Sequence, residues 1–402
     1  MRLPGPGSRV KFLRIISACA ALVTVILASS AFLPVAAGAN GSSPKNALKA
    51  ALERLVSSPT GPPGAIAVVQ HGQTVSTIAA GTSDVAAEAG RPTTDDHVRV
   101  ASVAKAFSGA AALALVARHT LALDDTIGKW LPNLPKPWHP VTLGELLNHS
   151  SGIPDFSDCG PFREAVNAAP LNPPPPQELI AYATRPPCYM LDKPLAFPPG
   201  SQYKYSNSDN VIVGLIIQDA TNQLYDTVLS QTVSQPLRLS QTSLPSSATM
   251  PVPYMHGYIP VPSVGPLDVS QDLAAGWAWA SGGVVSTPAD ANTFVRGYVK
   301  GATTNAATRR RQFHFVKGDS EPPGPGTNAA GMAIFRYRTG CGTVYGHTGN
   351  TLGFTQFIAA SANGQNSVSI SVNGQITPKA NPALFPQLHQ IFELGVCAAM
   401  KG

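Results

Sequence analysis

Charged side chains are scarce in this sequence. Of 402 residues, 28 are Lys or Arg and 22 are Asp or Glu, or 12% of the chain, about half the usual share of a globular protein. Arg309, Arg310 and Arg311 form the one dense basic run, and we interpret it as part of a solvated loop. A chain without a larger basic patch is not expected to bind nucleic acid.

Metal-binding patterns and repeats are also missing. The five cysteines lack the clustered spacing of a zinc site, and the nine histidines form no metal-ligand pattern. No internal repeat and no second long apolar run follows the N-terminal segment. We therefore expect no metal centre and no repeat architecture.

The only long apolar run lies near the N-terminus. It extends over residues 15–33 without a charge and is preceded by Arg2, Arg9, Lys11 and Arg14. Because Ala37 and Ala39 then offer a cleavage site, we interpret residues 1–39 as a secretory signal peptide. The alternatives are an uncleaved membrane anchor, since the run is long, and a less favoured lipid attachment at Cys19. Without this segment the formal net charge falls from +6 to +2.

Four cysteines remain in the exported part. They are Cys159, Cys188, Cys341 and Cys397. An even number in an exported chain indicates disulfides, for which three connectivities are possible. The simplest joins neighbours in sequence. That pairing would close a Pro-rich loop around residues 173–176 and fasten the end of the chain to a strand.

Hydrophobic periodicity separates the chain into three regions. Residues 64–83 predict a hairpin, residues 102–118 a buried helix, and residues 120–290 helical segments with Pro-rich connections. Strands are predicted again at 331–337, 343–347, 354–360 and 367–372, followed by a helix over 383–396. Strands early and late, with helices between, predict one sheet assembled from both ends of the chain.

Ser102 and Lys105 are the first candidate catalytic pair. Three residues apart on a helix, their side chains share one face within hydrogen-bonding reach. A serine hydroxyl needs a base to become a nucleophile, and a partly buried lysine with a lowered pKa can serve. Because a Ser-x-x-Lys spacing occurs by chance about once in such a chain, the alternative interpretation is a solvated helix face.

Two further groups carry candidate chemistry. We expect nearby positive charge to lower the pKa of Tyr205, so that it can transfer a proton, and Asn207 to orient Lys105 and hold a substrate carbonyl. At the end of an apolar strand, His347 can supply a donor or a partial positive charge, and Gly349 lets a substrate backbone approach. Taken alone, Asn207 could simply precede a helix over 208–219, and a lone histidine is more often structural.

In order, Ser-x-x-Lys, Tyr-x-Asn and His-x-Gly resemble the three motifs of the serine D-alanyl-D-alanine carboxypeptidases, the class C β-lactamases and the β-lactamase-like esterases. Residues 146–155 and 281–287 resemble recurrent segments of the same superfamily of serine β-lactamases and penicillin-binding proteins. Residues 341–349, with a cysteine near the C-terminus, are particularly similar to secreted D-alanyl-D-alanine carboxypeptidases. The likeness extends over roughly residues 50–400.

The resemblance implies that Ser102 forms an acyl-enzyme and that the backbone N–H groups of Ser102 and Asn350 form the oxyanion hole. Lys105 and Tyr205 would share the proton relay, and either could be the acylation base. The implied catalytic residues are Ser102, Lys105, Tyr205, Asn207 and His347. The implied substrate-binding residues are Thr348, Gly349, Asn350 and Trp277, the last in the place of an aromatic residue that lines the family's cleft. No metal or organic cofactor is needed.

Two positions depart from the nearest peptidase relatives. Those relatives carry a threonine directly after His-Thr-Gly and an arginine six residues before the cysteine, where this chain has Asn350 and Phe335. We therefore expect a weakened pocket for the carboxylate of a terminal D-alanine. Arg336 or Arg338 could compensate, although alternation along a strand points both to the face opposite Phe335.

These observations predict an α+β fold, an antiparallel sheet flanked by helices with a mainly helical middle region. After the signal peptide over 1–39, residues 40–402 would form one serine hydrolase domain. Its sheet part would comprise about 50–119 and 290–402, and its helical part about 120–289.

The predicted function is that of an exported serine hydrolase, with D-alanyl-D-alanine carboxypeptidase activity on cell-wall peptides as the first hypothesis. A β-lactamase-like esterase or a β-lactamase is the second, and an inactive cell-wall or penicillin-binding protein the third. The expected partner is a small-molecule or peptide acyl donor, such as a peptidoglycan stem peptide, and a membrane only if the N-terminal segment stays uncleaved. We expect a monomer that is secreted or otherwise extracytoplasmic.

Overall fold

The computed structural model describes residues 43–87, 89–261 and 263–402. The predicted signal peptide over 1–39 and its alternatives lie outside these residues. The helices are α1 (Pro44–Ser57), α2 (Ala104–Ala117), α3 (Ile127–Trp130), α4 (Leu143–Leu147), α5 (Gly160–Ala168), α6 (Pro176–Ala183), α7 (Asn207–Thr221), α8 (Tyr225–Leu229), α9 (Gln235–Leu237), α10 (Trp279–Gly282), α11 (Pro288–Lys300), α12 (Ala306–Gln312) and α13 (Phe385–Lys401). The strands are β1 (Gly64–His71), β2 (Thr74–Gly81), β3 (Val98–Arg99), β4 (Tyr258–Val261), β5 (Gly265–Asp268), β6 (Val285–Ser286), β7 (Thr327–Ala330), β8 (Phe335–Thr339), β9 (Gly342–Thr351), β10 (Phe354–Ala360) and β11 (Ser367–Val372).

Seven strands from the two ends of the chain form one antiparallel sheet, in the order β2-β1-β11-β10-β9-β8-β7. Early and late strands meet where β1 pairs with β11, with Ala65 opposite Val372. The predicted α+β fold is therefore confirmed.

The sequence of β11 shows why this strand lies at the centre of the sheet. Its valines and isoleucine alternate with serines, and all six residues are buried. The apolar side chains face the core under α13. On the other face, Ser367 Oγ donates to Asn292 Oδ1 and Ser369 Oγ donates to the carbonyl oxygen of Pro288, each at 2.8 Å. Because these hydroxyls find partners on α11, the strand can be buried on both faces without unpaired polar groups.

Helices cover both faces of the sheet. The α1 and α13 helices pack on one face, where Leu52, Phe357 and Phe392 share a core. The second core joins the other face to the helical middle of the chain and includes the stacked rings of Phe107 and Phe294, with centroids 3.6 Å apart. The Ala-rich sequence of α2 allows this close packing, and its residues from Ala104 to Leu115 are all buried.

Both disulfides of the simplest predicted connectivity are present. The Cys159–Cys188 bond joins the start of α5 to the segment after α6. The Cys341–Cys397 bond joins the turn between β8 and β9 to α13. In the described part of the chain, no helix is long and apolar enough to span a bilayer.

Two local predictions were wrong. A strand was expected over 331–337, but β7 ends at Ala330 and β8 begins at Phe335, because the chain turns between them with Ala333 in the left-handed region at φ 51°. The basic run was expected in a loop, but it lies in α12. There Asn305 caps the helix N-terminus, and Arg309 Nε donates to the carbonyl oxygen of Val299 at 2.9 Å.

Candidate active site

Ser102 lies in a tight turn between a short strand and the most buried helix. The turn is a 3₁₀ helix over Ala101–Val103, after β3 and directly before α2. Ala101 adopts φ 51°, a conformation that is rare for a residue other than glycine and occurs where the surroundings fix it. The turn leaves Ser102 partly exposed at an open cleft.

Lys105 is fully buried beneath Ser102, and its amine has three partners. Nζ lies 3.2 Å from Ser102 Oγ, 2.6 Å from Asn207 Oδ1 and 2.8 Å from the carbonyl oxygen of Ser281. Burial lowers the pKa of Lys105 to about 7, against the opposing charges of Asp155, Glu321 and Asp209. A neutral amine donates two hydrogen bonds and keeps one lone pair. With Asn207 and Ser281 accepting, that lone pair is available to the Ser102 hydroxyl.

Tyr205 lies beside Lys105, with its ring centroid 4.9 Å from Nζ. Its hydroxyl is buried and has no hydrogen-bond partner among the described residues. Burial raises the pKa of Tyr205 well above its ordinary value, although the nearby Ser102 hydroxyl acts in the opposite direction. The expectation that positive charge would lower this pKa was therefore wrong, because desolvation of the phenolate by burial is the largest effect on it.

Asn207 begins α7 and is oriented by Asp155. Its Nδ2 donates to Asp155 Oδ2 at 3.0 Å and to Ser157 Oγ at 2.9 Å, which leaves Oδ1 for Lys105. Its backbone N–H also donates to Asp155 Oδ2, at 2.8 Å. Sequence analysis assigned no role to Asp155, although it lies in the segment 146–155 that resembles the family.

His347 is fully buried on β9, and its Nδ1 lies 2.5 Å from the carbonyl oxygen of Thr348. This contact places the ring proton on Nδ1, since a carbonyl oxygen only accepts. Burial lowers the pKa of His347 to about 3, so the ring is neutral at neutral pH. Of the two roles predicted for His347, a donor or a partial positive charge, burial therefore disfavours the second.

Gly349 allows β9 to pass directly against the turn that carries Ser102. A Cβ atom there would lie 2.3 Å from the carbonyl oxygen of Val100 and 3.2 Å from the backbone nitrogen of Ser102. The glycine therefore brings strand and turn together, so that the N–H of Ser102 lies beside the residue preceding Asn350. The backbone N–H groups of Ser102 and Asn350, which are expected to form the oxyanion hole, therefore belong to two segments in close contact.

The neighbours of Gly349 on β9 are anchored by their side chains. Thr348 Oγ1 donates to the carbonyl oxygen of Pro322 at 2.6 Å. Asn350 Nδ2 donates to Thr355 Oγ1 at 2.9 Å and to the carbonyl oxygen of Ile376 at 2.8 Å. The side chain of Asn350 is thus bonded within the protein, and the residue lines the cleft.

Trp277 forms part of an apolar wall of the cleft. It is buried, its Nε1 donates to the carbonyl oxygen of Ala169 at 3.2 Å, and its ring lies edge-on to Phe162 at 5.6 Å. The cleft has a volume of about 1470 Å³, larger than the usual small-molecule pocket. Its lining includes three lysines and three acidic residues, Lys204, Lys317, Lys379, Glu145, Asp319 and Glu321.

Of the two departures from the peptidase pattern, Asn350 lines the cleft and Phe335 lies behind it. Phe335 is buried, with its ring 5.0 Å from that of His347. Arg336 extends from the opposite face of β8 over the ring of Phe315 at 4.8 Å, and Arg338 is exposed. The three residues belong to β8, outside the cleft lining. Across residues 43–87, 89–261 and 263–402, no group of three or more His, Cys, Asp or Glu could hold a metal ion.

The profile of the family described as Beta-lactamase matches residues 49–391. The chain belongs to the beta-lactamase family. This family of serine hydrolases includes Esterase EstB of Burkholderia gladioli, which is 33% identical over 205 residues, or 48% of this chain and 50% of that protein. The chain thus spans about half the length of this relative.

Two solved structures share the fold of this chain. A D-stereospecific amidohydrolase from Streptomyces sp. has a TM-score of 0.72 at 26% identity, covering 82% of this chain and 94% of that protein. The D-amino acid amidase from Ochrobactrum anthropi SV3 has a TM-score of 0.74 at 23% identity, covering 87% and 98%. The superfamily predicted from the three motifs is therefore confirmed.

Proposed function

We propose that this protein is an extracytoplasmic serine hydrolase that cleaves D-alanyl-D-alanine-type peptide bonds through an acyl-enzyme on Ser102. The observation that carries the proposal is the contact between Ser102 Oγ and the Nζ of fully buried Lys105, at 3.2 Å. Because burial lowers the pKa of this lysine to about 7, its neutral form is available as a base near neutral pH.

The proposed reaction begins when Ser102 Oγ attacks the substrate carbonyl and its proton passes to Lys105 Nζ. The oxygen that becomes negative is bound by the N–H groups of Ser102 and Asn350. Collapse of this intermediate breaks the bond to the leaving amine, which takes up the proton from Lys105 through the Tyr205 hydroxyl. Water then attacks the acyl carbonyl and gives one proton to Lys105. The bond between the acyl carbon and Ser102 Oγ breaks as Oγ takes that proton back from Lys105, which releases the acid and regenerates Ser102. Because the Tyr205 hydroxyl keeps its proton, it can relay a proton only by donating its own while it accepts the one from Lys105.

The residues at the two positions that differ from the peptidase pattern support weak selection for a leaving group with a terminal carboxylate. Phe335 is buried in the core, and Asn350 uses its amide group within the protein. The threonine and arginine of the peptidase pattern therefore have no direct replacement at these two positions. This absence favours a second candidate function, that of an esterase, because an ester substrate needs no terminal carboxylate.

Two disulfides support the proposed location outside the cytoplasm, since disulfides persist mainly in oxidising compartments. We also propose that the protein acts as a monomer on a small-molecule or peptide acyl donor. The cleft is open, and its volume of about 1470 Å³ exceeds that of the usual small-molecule pocket. Its lysines and acidic residues provide both signs of charge along the lining.

The deciding experiment is covalent labelling followed by turnover. Purified protein should be labelled by a fluorescent penicillin or phosphonate, and Ser102→Ala should abolish labelling while the circular dichroism spectrum stays unchanged. Turnover of a D-alanyl-D-alanine peptide, its amidated form and a short-chain ester then separates peptidase from esterase. Labelling that persists in Ser102→Ala would overturn the proposal.

A further inference from the structure

A buried histidine and aspartate lie together next to the candidate active site and have no part in the proposed reaction. His149 Nδ1 and Asp209 Oδ2 are 2.8 Å apart, and the residues are 3% and 0% exposed. Ser151 Oγ donates to the second carboxylate oxygen of Asp209 at 2.5 Å. Asp209 thus fixes the orientation of the imidazole, because one of its carboxyl oxygens is bonded to Nδ1 while Ser151 holds the other.

The imidazole of His149 packs on the ring of Tyr205. The ring centroids are 4.6 Å apart and the planes are inclined by 38°. Lys105 Nζ lies 4.9 Å from the centroid of Tyr205. The Tyr205 hydroxyl has no well-formed hydrogen bond among the described residues and only the Ser102 hydroxyl nearby, so the ring contacts contribute to where that hydroxyl lies.

The backbone of His149 is also joined to the segment that carries Tyr205. The carbonyl oxygen of His149 accepts from the backbone N–H of Lys204, the residue before Tyr205, at 2.9 Å. His149 adopts φ 59°, which is unfavourable for a residue with a Cβ and persists only when the surroundings require it. Here the strained residue contacts the ring of Tyr205 through its own ring, and its carbonyl group bonds the residue that precedes Tyr205.

We propose that His149 and Asp209 are positioning residues for Tyr205, in which Asp209 holds the imidazole and the imidazole holds the phenol ring beside Ser102 and Lys105. The inference rests on the proposed role of Tyr205 in proton transfer. Burial lowers the pKa of His149 to about 3. The imidazole is therefore neutral at neutral pH and adds no second positive charge beside Lys105.

Two substitutions at His149 separate the ring contact from the hydrogen bond. His149→Asn retains a donor near the position of Nδ1 and loses the ring, whereas His149→Phe retains a ring and loses the donor. With an ester substrate, we expect kcat of His149→Asn to fall about ten- to a hundredfold with KM within about twofold, because a shift of the reacting groups by about 1 Å has effects of this size. His149→Phe should lose less of kcat than His149→Asn, because its ring still packs on Tyr205 although Asp209 can no longer hold that ring.

The chain offers a matched control in His256. Its Nδ1 lies 2.7 Å from Asp268 Oδ2, and its ring stacks on Tyr254 at 4.3 Å, outside the cleft lining. His256→Asn removes an imidazole with the same kinds of contact. It should leave kcat and KM unchanged.

A double-mutant cycle with Tyr205→Phe tests whether His149 acts through Tyr205. In the Tyr205→Phe background, His149→Asn should cause less than about a twofold further loss of the acylation rate. Equal losses in both backgrounds would overturn the inference, as would an unchanged kcat in His149→Asn. If Tyr205→Phe is too slow to measure, a kcat of His149→Phe as low as that of His149→Asn is the overturning result.

Folding failure does not remove the test. If His149→Asn does not fold, Ser151→Ala replaces it in the cycle. This serine bonds Asp209 and would act on Tyr205 only through Asp209 and His149. An additive loss with Tyr205→Phe then overturns the inference. Failure of the proposed function is visible separately, because it would appear as turnover that survives Ser102→Ala.

Discussion

Burial sets the protonation of the residues around Ser102. It lowers the pKa of Lys105 to about 7 and that of His347 to about 3, and it raises the pKa of Tyr205. Of these three groups, only Lys105 titrates near neutral pH. The sequence left the acylation base open between Lys105 and Tyr205, and these protonation states favour Lys105.

The first prediction concerns the pH dependence of acylation. If neutral Lys105 is the base, kcat/KM should rise with pH through a midpoint near 7, because protonated amine is converted to the active form as pH increases. Lys105→Arg should lose the activity at every pH, since its guanidinium stays protonated. Stopped-flow acylation between pH 5 and 9 measures the midpoint, and a rate that is still rising without a midpoint at pH 9 would instead indicate Tyr205, whose pKa is raised by burial.

The second prediction concerns Asp155, the largest opposing charge on Lys105. Its carboxylate raises the pKa of Lys105 against the dominant effect of burial. Asp155→Asn should therefore shift the rising limb of the pH profile to lower pH. Exposed Asp158 is the matched control, and Asp158→Asn should leave the midpoint in place. A shift to higher pH in Asp155→Asn would contradict the electrostatic account.

At the scale of elements, the active site depends on how closely β9 approaches the turn over Ala101–Val103. We predict that Gly349→Ala will reduce kcat at least about a hundredfold and destabilise the fold by about 1–3 kcal/mol. The reason is that its methyl group would meet the backbone oxygen of Val100 at 2.3 Å. Gly340→Ala is the control, since the nearest atom to its Cβ is a flexible glutamate oxygen at 3.7 Å. Kinetics and urea unfolding of both variants measure the difference.

The two disulfides should have separable effects. Replacing Cys341 and Cys397 by serine should lower the free energy of unfolding by about 2–4 kcal/mol, with kcat retained in the folded protein, because this bond lies at the far end of β9 from His347. Replacing Cys159 and Cys188 should lower kcat as well, since Cys159 directly follows the 3₁₀ turn Phe156–Asp158 whose Ser157 contacts Asn207. Denaturant titration and ester turnover distinguish stability from activity.

The elements with a clear hydrophobic pattern could be predicted accurately from the sequence. β10 and β11 begin and end at the predicted residues, because each is an apolar or alternating run between turn residues. The turn around Ala333 was missed, since alanine has no special preference for φ 51°. Tertiary packing imposes that turn: Ala333 fits against Gly109 of α2, where a Cβ on the glycine would lie 2.1 Å from that of the alanine.

At the scale of the whole molecule, substrate choice depends on charges that the cleft presents. We predict that the enzyme discriminates by less than about tenfold between a D-alanyl-D-alanine peptide and its amidated form, since a charge-assisted contact to the carboxylate is worth about tenfold or more. Competition assays with the two peptides measure this ratio. A hundredfold preference for the free acid would assign the carboxylate to one of the cleft lysines, Lys204, Lys317 or Lys379, because Arg336 and Arg338 are outside the cleft lining.

The sequence identified the motif residues of the candidate site, but not the residues that support them. Ser102 and Lys105, three positions apart, could be recognised locally. The contact between His149 and Asp209 could not, because the two residues are separated by 60 positions and each has an ordinary composition around it. The burial of Lys105 and Tyr205 could not be predicted for the same reason, since the elements that exclude water from these side chains are distant in sequence.

The pairing of β1 with β11 has a consequence for the newly made chain. Ribosomes produce the N-terminus first, so the hairpin of β1 and β2 has no partner strand until the last strand has followed. Ser102 and Lys105 are made early, but β9, which passes against their turn, is among the last segments to arrive. A nascent or truncated chain should therefore be chemically silent. If the protein crosses a membrane as an extended chain, its hydrolytic activity would begin only on the far side, when the final strands close the sheet.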